Sequence, residues 1–226
     1  MKRILIIGGG GFGCELYTYI RQDIQAGDLP KQCSIGVLDD SAECELMAKV
    51  PYANYLGRVQ DFDASEGDFA IIAIGSVVGR RKVYDIAHER GIQLTSYIHA
   101  SAWVAPNAVL GQSVIVCPNC VINAFSEISD NVAINVFCSI GHGAKIGSHS
   151  VLSPYSAMSG NSALGMSSFM GTRATLFPGI SMGQGAVVDA HSTVKQSVGD
   201  NMMVSVRGEY LAFPNRMSRV GGFKSS

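Results

Sequence analysis

Residues 127–164 read EISDNVAINVFCSIGHGAKIGSHSVLSPYSAMSGNSAL. Every sixth residue from Ile128 is aliphatic or Met: Ile128, Ile134, Ile140, Ile146, Leu152, Met158 and Leu164. The phase continues without a slip in both directions, back through Ile122, Val116, Leu110 and Val104 and on through Met170, Leu176, Met182, Val188 and Val194. A helix repeats every 3.6 residues and a plain strand every 2, so neither gives a period of six. Four residues after the aliphatic comes Ala, Ser or Cys in twelve of the sixteen hexads, as at Cys120, Cys138, Ser150 and Ser168. Gly or Asn often follows the aliphatic directly, as at Gly111, Asn123, Asn135, Gly141, Gly147, Gly165, Gly171 and Gly183. Each hexad reads as one short strand and one corner, and three hexads make an 18-residue coil of a triangular prism. The aliphatic residue points inward, and the small residue lets the chain turn close to the axis. The Gly and Asn residues are expected to supply the positive φ of the corners. Each coil buries its inner face only by stacking on the next.

The chain has 226 residues, of which 47% are hydrophobic and only 15% charged. The low charge fits stacked, regular structure, and a net charge of -1 gives no electrostatic case for nucleic acid or an anionic membrane. No apolar run reaches the ~18 residues of a membrane span. The six cysteines are dispersed, so they read as reduced thiols of a cytoplasmic protein. Cys117 and Cys120 form a lone CxxC, and a zinc site would need a second pair, so no metal is expected.

The first hundred residues alternate differently. A buried strand over residues 3–7 runs into Gly8-Gly9-Gly10-Gly11-Phe12-Gly13, which satisfies G-x-G-x-x-G, and a helical stretch follows to about Gln25. Such glycines allow a tight turn and bring helix-N-terminal amides to an anion. A second strand, Ser34 to Leu38, ends in Asp39-Asp40, carboxylates suited to hydrogen bonds from a ribose or base. A third, Phe69 to Ile74, ends at Gly75; a helix follows from Val77 to Arg90, and a last strand from Leu94 to Ile98. Strand–helix alternation implies a small parallel α/β sheet.

Within the repeat, Asn135-Val136-Phe137-Cys138-Ser139-Ile140-Gly141-His142 holds the strongest candidate for chemistry. His142 stands two places after inward Ile140 and so points out of the prism. An imidazole on a rigid wall suits general-base work at neutral pH.

Along its whole length the chain resembles the PglD/NeuD-like bacterial sugar acetyltransferases. The resemblance rests on the glycine loop, Asp39-Asp40, Ile74-Gly75 with Arg80, Ile98-His99 at the entry to the repeats, the stretch Asn135 to His142, and Ser159-Gly160 through Gly171. It implies a Rossmann-like α/β domain over residues 1–100, an all-β, left-handed parallel β-helix over 101–199, and a C-terminal tail, 200–226, that caps it. It further implies a homotrimer with acetyl-CoA between neighbouring prisms, and a place in cell-surface polysaccharide biosynthesis. His142 would take a proton from the acceptor, with Asn135 beside it in the motif. Gly160, Thr172 and Ala190 match places where the family's backbone meets acetyl-CoA. Gly8, Gly10, Asp39, Asp40, Gly75 and Arg80 would hold the nucleotide of the sugar substrate.

The chain departs from the family at several points. Gly143 stands where the family has Asp or Glu, Val151 where it has a second His, and Phe12 where the glycine loop has His. Ser76 and Val77 replace Asn or Asp, and Gly208 to Pro214 replaces the usual ending. Three readings remain: an N-acetyltransferase of a nucleotide-linked amino sugar, with a sialic-acid-type O-acetyltransferase beside it; a binding module without catalysis, because of Gly143; and an NAD-dependent enzyme using the glycine turn. His88, His99 and His191 read as structural or solvated.

Overall fold

The computed structural model describes residues 3–206. Most of the expected C-terminal cap, with its Gly208 to Pro214 ending, lies outside the described residues.

The first unit is a parallel sheet of Arg3–Ile7 (β1), Ser34–Leu38 (β2), Asn54–Gly57 (β3) and Asp68–Ile72 (β4), in the order β3-β2-β1-β4. Ile4 to Ile7 are all buried because helices cover both faces. On one face Leu16, Tyr17 and Ile20 of helix Gly11–Ala26 (α1) pack on Ile4 and Ile6. On the other, Val83, Ile86 and Ala87 of helix Val77–Glu89 (α3) pack with Leu5, Ile7 and Ile72. A short helix, Glu45–Lys49 (α2), joins the α1 side. The chain winds outward from β1 through β3 and then returns to the other side of β1. This reversal between β1 and β4 is the place where open α/β sheets leave a crevice at their strand ends.

The second unit is the expected prism, built of two-residue parallel strands in three sheets. Its first face starts at Tyr97–Ile98, its second at Trp103–Val104 and its third at Val109–Leu110. Register advances by one coil at a time, as in Ser139↔Ala157 and Ile140↔Met158. The inward residues from Val116 to Val194 form one continuous buried column. The corner serines are more than small. The Ser150 hydroxyl donates to the Gly165 carbonyl at 2.9 Å and accepts from the Ser168 amide at 3.1 Å. Ser168 repeats this one coil on, with Gly183 and Ala186. Each hydroxyl thus satisfies backbone groups that the turn would otherwise leave buried and unpaired.

The corners correct one expectation. Positive φ falls on every sixth residue from Ser113 to His191, two places later than the Gly and Asn positions expected to carry it. Gly141 and Gly171 do not hold it; a Cβ there would strike the backbone of Ser159–Gly160 and of Asp189–Ala190 in the next coil. Those glycines let consecutive coils approach closely. The left-handed positions accept bulky residues, each at a cost of about 1 kcal/mol. At the corner between first and second faces, Phe137 and Tyr155 stack at 4.9 Å, and Arg173 lies 5.1 Å above the Tyr155 ring.

Leu94 to Ile98 is not one strand. Leu94 bridges to Ala70 of the first sheet, whereas Tyr97–Ile98 pairs with Ile115–Val116 as the first rung of the prism. The rung therefore begins before residue 101. At the far end Val188 pairs with Val204 and Met182 with Val198, so the last coil is two residues short and the period of six slips after Val194.

The two units are welded together. Ile115 and Cys117 face out of the prism yet are buried in the cluster of Leu16 and Tyr17. The Tyr97 hydroxyl donates to Asp23 of α1 at 2.6 Å; burial first, then that bond, pushes the phenol up and keeps it protonated. Cys120 lies inside the prism and Cys117 outside, so the CxxC thiols occupy opposite sides of one wall. Among the described residues, no cluster of three or more His, Cys, Asp or Glu is placed to hold a metal, and no helix is long and apolar enough to cross a membrane.

Candidate active site

A cavity of about 300 Å³ opens at the strand ends where the first sheet reverses. Ile7 and Gly8 line it from β1, Leu38, Asp39 and Asp40 from β2, and Ile74 from beyond β4. The glycine loop is shaped for this place. Gly8 holds φ +107, and a Cβ on it would press the Ala73 carbonyl and the Ile74 side chain. A Cβ on Gly9 would occupy the space of the Cys44 thiol, and one on Gly13 would strike the Gly8 carbonyl. Gly10 faces open space and starts α1 with no side-chain cap, leaving first-turn amides unclaimed.

Asp39 does more than face the cavity. Its Oδ2 accepts from the Gly9 amide at 2.7 Å and its Oδ1 from the Ser41 amide at 2.9 Å, so it braces the loop. Asp40 is exposed, with Oδ1 3.5 Å from Arg58 Nε. Gly75 is exposed at the turn into α3 and Phe12 packs into the α1 core; neither lines the cavity. Sequence reading missed Val59, Gln60, Gly79, Lys82, Val83 and Ile86, which complete the lining. The last three share one face of α3, a spacing visible in the sequence once that face is known.

Arg80 requires a correction. It is fully buried and does not line this cavity. Its Nε donates to the Asn131 carbonyl at 2.8 Å, its Nη2 to the Ser113 carbonyl at 3.1 Å, and its Nη1 to the Ile72 carbonyl. Two of those carbonyls are at one prism corner and the third ends β4, so Arg80 is the bolt between the two units. Burial lowers its guanidinium to about 9, still protonated at neutral pH.

The prism residues divide between two corners. His142 is exposed at the corner between second and third faces, with its ring over Gly160 one coil on. The atoms nearest a Cβ on Gly160 would be Nε2, Cε1 and Cδ2 of His142. Gly143 holds φ +64 at this corner, and a Cβ there would press Asn161 Oδ1. Glycine therefore has a backbone reason at the place of the missing acid.

Asn135, Thr172 and Ala190 stand at the other edge of the second face. Asn135 Oδ1 accepts from the Val136 amide at 2.7 Å, Thr172 is half-buried, and the Ala190 amide donates to Asp189 Oδ1 at 2.8 Å. Asn135 and His142 flank the strand Ser139–Ile140 at its two ends, so one chain does not bring them together.

His149, His88 and His99 make local contacts away from the His142 corner. His149 Nδ1 lies 2.9 Å from the Asn131 amide nitrogen, and its ring meets Tyr84 edge-on at 5.2 Å. His88 meets the same tyrosine, and His99 Nδ1 lies 2.8 Å from Ser101 Oγ.

No family model matches the chain. Among solved structures it is similar to the acetyltransferase domain of PglB from Neisseria gonorrhoeae FA1090, with 26% identity and a TM-score of 0.78 over 90% of this chain and 96% of that one. It is similar to PerB from Caulobacter crescentus, solved with CoA and GDP-perosamine, at 26% identity and a TM-score of 0.75 over 88% of this chain and 92% of that one. Over both of its units the chain is thus similar to bacterial sugar acetyltransferases of the hexapeptide-repeat kind. WeeI from Acinetobacter baumannii AYE shares the fold at 21% identity and a TM-score of 0.76, over 88% and 94% of the two chains. These likenesses span both units.

Proposed function

We propose that the protein transfers an acetyl group from acetyl-CoA to the amino group of a nucleotide-linked amino sugar, as a homotrimer whose active sites are each built from two copies. One observation carries this reading: His142 and Gly160 occupy one edge of the second face, and Asn135, Thr172 and Ala190 occupy the other. Repeating one contact, edge against opposite edge, around a triangular prism closes a ring of three. Each interface then holds His142 of one copy opposite Asn135 of the next. PerB, solved with CoA and GDP-perosamine, supports the pairing of donor and acceptor classes.

In this reading the nucleotide sits in the α/β crevice against Gly8, Asp39 and Asp40, and Gly10 and Gly75 stand outside the cavity lining. The pantetheine thioester lies between prisms, along Gly160 of one copy and Thr172 and Ala190 of the next. The acceptor nitrogen attacks the thioester carbonyl carbon, and the carbonyl π pair moves to oxygen. His142 takes the proton released from nitrogen. Collapse expels the CoA thiolate, which takes that proton from the imidazolium, leaving the amide, CoA thiol and neutral His142. Backbone amides of the corner stabilise the oxyanion. The test is thiol release from acetyl-CoA with UDP-, dTDP- and GDP-linked 4-amino sugars, followed by analysis of the product linkage. An N-acetyl product supports the reading, and turnover of free sialic acid to an O-acetyl ester would replace it.

A further inference from the structure

The crevice of the α/β unit lacks the cation that its sequence promised, because Arg80 is turned away into the domain junction. A nucleoside diphosphate brings two negative charges, and the crevice already carries the carboxylates of Asp39 and Asp40. Beside the uncapped first-turn amides of α1, a positive side chain in the crevice would offset that repulsion.

Two residues along α3 rotate a side chain by about 200° around the helix axis. Lys82 therefore does not follow Arg80 into the buried junction, and it lines the 300 Å³ cavity as its one cationic residue. Among the described residues Lys82 makes no ion pair; Asp40 faces Arg58, and the two Asp39 oxygens accept backbone amides. Its ammonium is exposed and uncommitted. Lys82 and Ile86 also line a second cavity, of about 690 Å³, between α3 and the prism corner of Ser167 and Gly185. Lys82 thus stands at the seam of two cavities, where the linking group of a two-part ligand belongs.

We infer that Lys82 is the diphosphate-positioning residue of the nucleotide-sugar site, in place of Arg80, which the family resemblance counts among the residues holding the nucleotide. The inference rests on the nucleotide reading above and deepens it. The carboxylates and the glycine loop serve the nucleoside end, and Lys82 neutralises the diphosphate. A lysine serves as a mobile point charge, and its three donors follow the phosphates as the sugar end is drawn to the thioester. No bond forms or breaks at Lys82, so its signature is in binding of the acceptor rather than in the chemical step.

The experiment titrates the full-length protein with UDP, dTDP and GDP, and with uridine, thymidine and guanosine. Lys82→Gln, Lys82→Arg and Arg81→Gln are compared with wild type. The expected result is that Lys82→Gln weakens the preferred diphosphate about 10- to 100-fold, the range for one charge-assisted bond. Nucleoside binding stays within about twofold of wild type, Lys82→Arg recovers most of the loss, and Arg81→Gln changes little. In turnover, KM for the nucleotide sugar rises by a similar factor while kcat is held. Lys82→Gln binding the diphosphate as tightly as wild type overturns the inference. So does an equal loss for diphosphate and nucleoside, which marks a structural role. Wild-type protein that binds none of the diphosphates overturns the nucleotide reading itself.

Discussion

Gly160→Ala tests the position of the His142 imidazole that the proposed mechanism uses, with acetyl-CoA held saturating because the thioester runs along the same residue. Gly160 holds no positive φ, so alanine fits its backbone. The added methyl group would enter the space of the His142 ring, whose Cε1 would lie 2.6 Å away and whose Cδ2 would lie 3.0 Å away. Ordinary carbon contact begins near 3.5 Å, so the ring must retreat by about 1 Å. A displacement of that size at a reacting group costs roughly 100-fold in rate. The ring is on the surface, and the fold should lose no more than about 0.5 kcal/mol. The assay is thiol release at saturating acetyl-CoA and acceptor, with thermal unfolding of the same samples. A kcat about 100-fold down at an unchanged midpoint is expected. Wild-type kcat in the alanine variant refutes the placement of His142 over Gly160 as the working geometry.

Three further outcomes follow from particular contacts. Arg80→Met strips the donors from three buried carbonyls and should cost about 3 kcal/mol or more in chemical denaturation, while the folded fraction keeps its nucleotide affinity; a loss of affinity without a loss of stability would return Arg80 to the binding site. Burial, then the charge of Arg81, holds the His149 imidazole below its ordinary 6.5. The unfolded chain takes up a proton as pH falls through that value and the folded chain does not, so stability present above it is lost as pH drops towards the folded value. His149→Asn, at a left-handed position that Asn accepts, should flatten this dependence as pH falls below the ordinary histidine value, and an unchanged slope would show that another group titrates. Mixing His142→Ala with Asn135→Ala chains, each inactive alone, should restore about a quarter of wild-type activity in randomly assembled trimers, since one interface in four pairs two intact edges; no recovery would place both residues in one chain's site.

The prism was legible because its signal is one-dimensional. An inward aliphatic at every sixth residue, from Val104 to Val194, is dictated by stacking, and the buried column reproduces it. The α/β order was legible from Ile4 to Ile7 and from the glycines after them. What escaped was direction. The corner glycines look the same in sequence whether they supply a positive φ, as Gly143 does, or a close approach between coils, as Gly141 does. Arg80 and Lys82 are both cations on one helix, and only the packing of α3 on the prism decides which is bolted inside. Leu94 to Ile98 reads as one apolar run, yet its two ends belong to different sheets. The pairing of Asn135 with His142 seven residues on looked like one site, and the prism places them on two corners.

The most direct test of acyl transfer at His142 is thiol release from acetyl-CoA with the preferred nucleotide-linked amino sugar, wild type against His142→Ala. Loss of a general base predicts a fall of about 100- to 10,000-fold in kcat, with acetyl-CoA and nucleotide affinities retained. A His142→Ala protein as active as wild type would contradict the account.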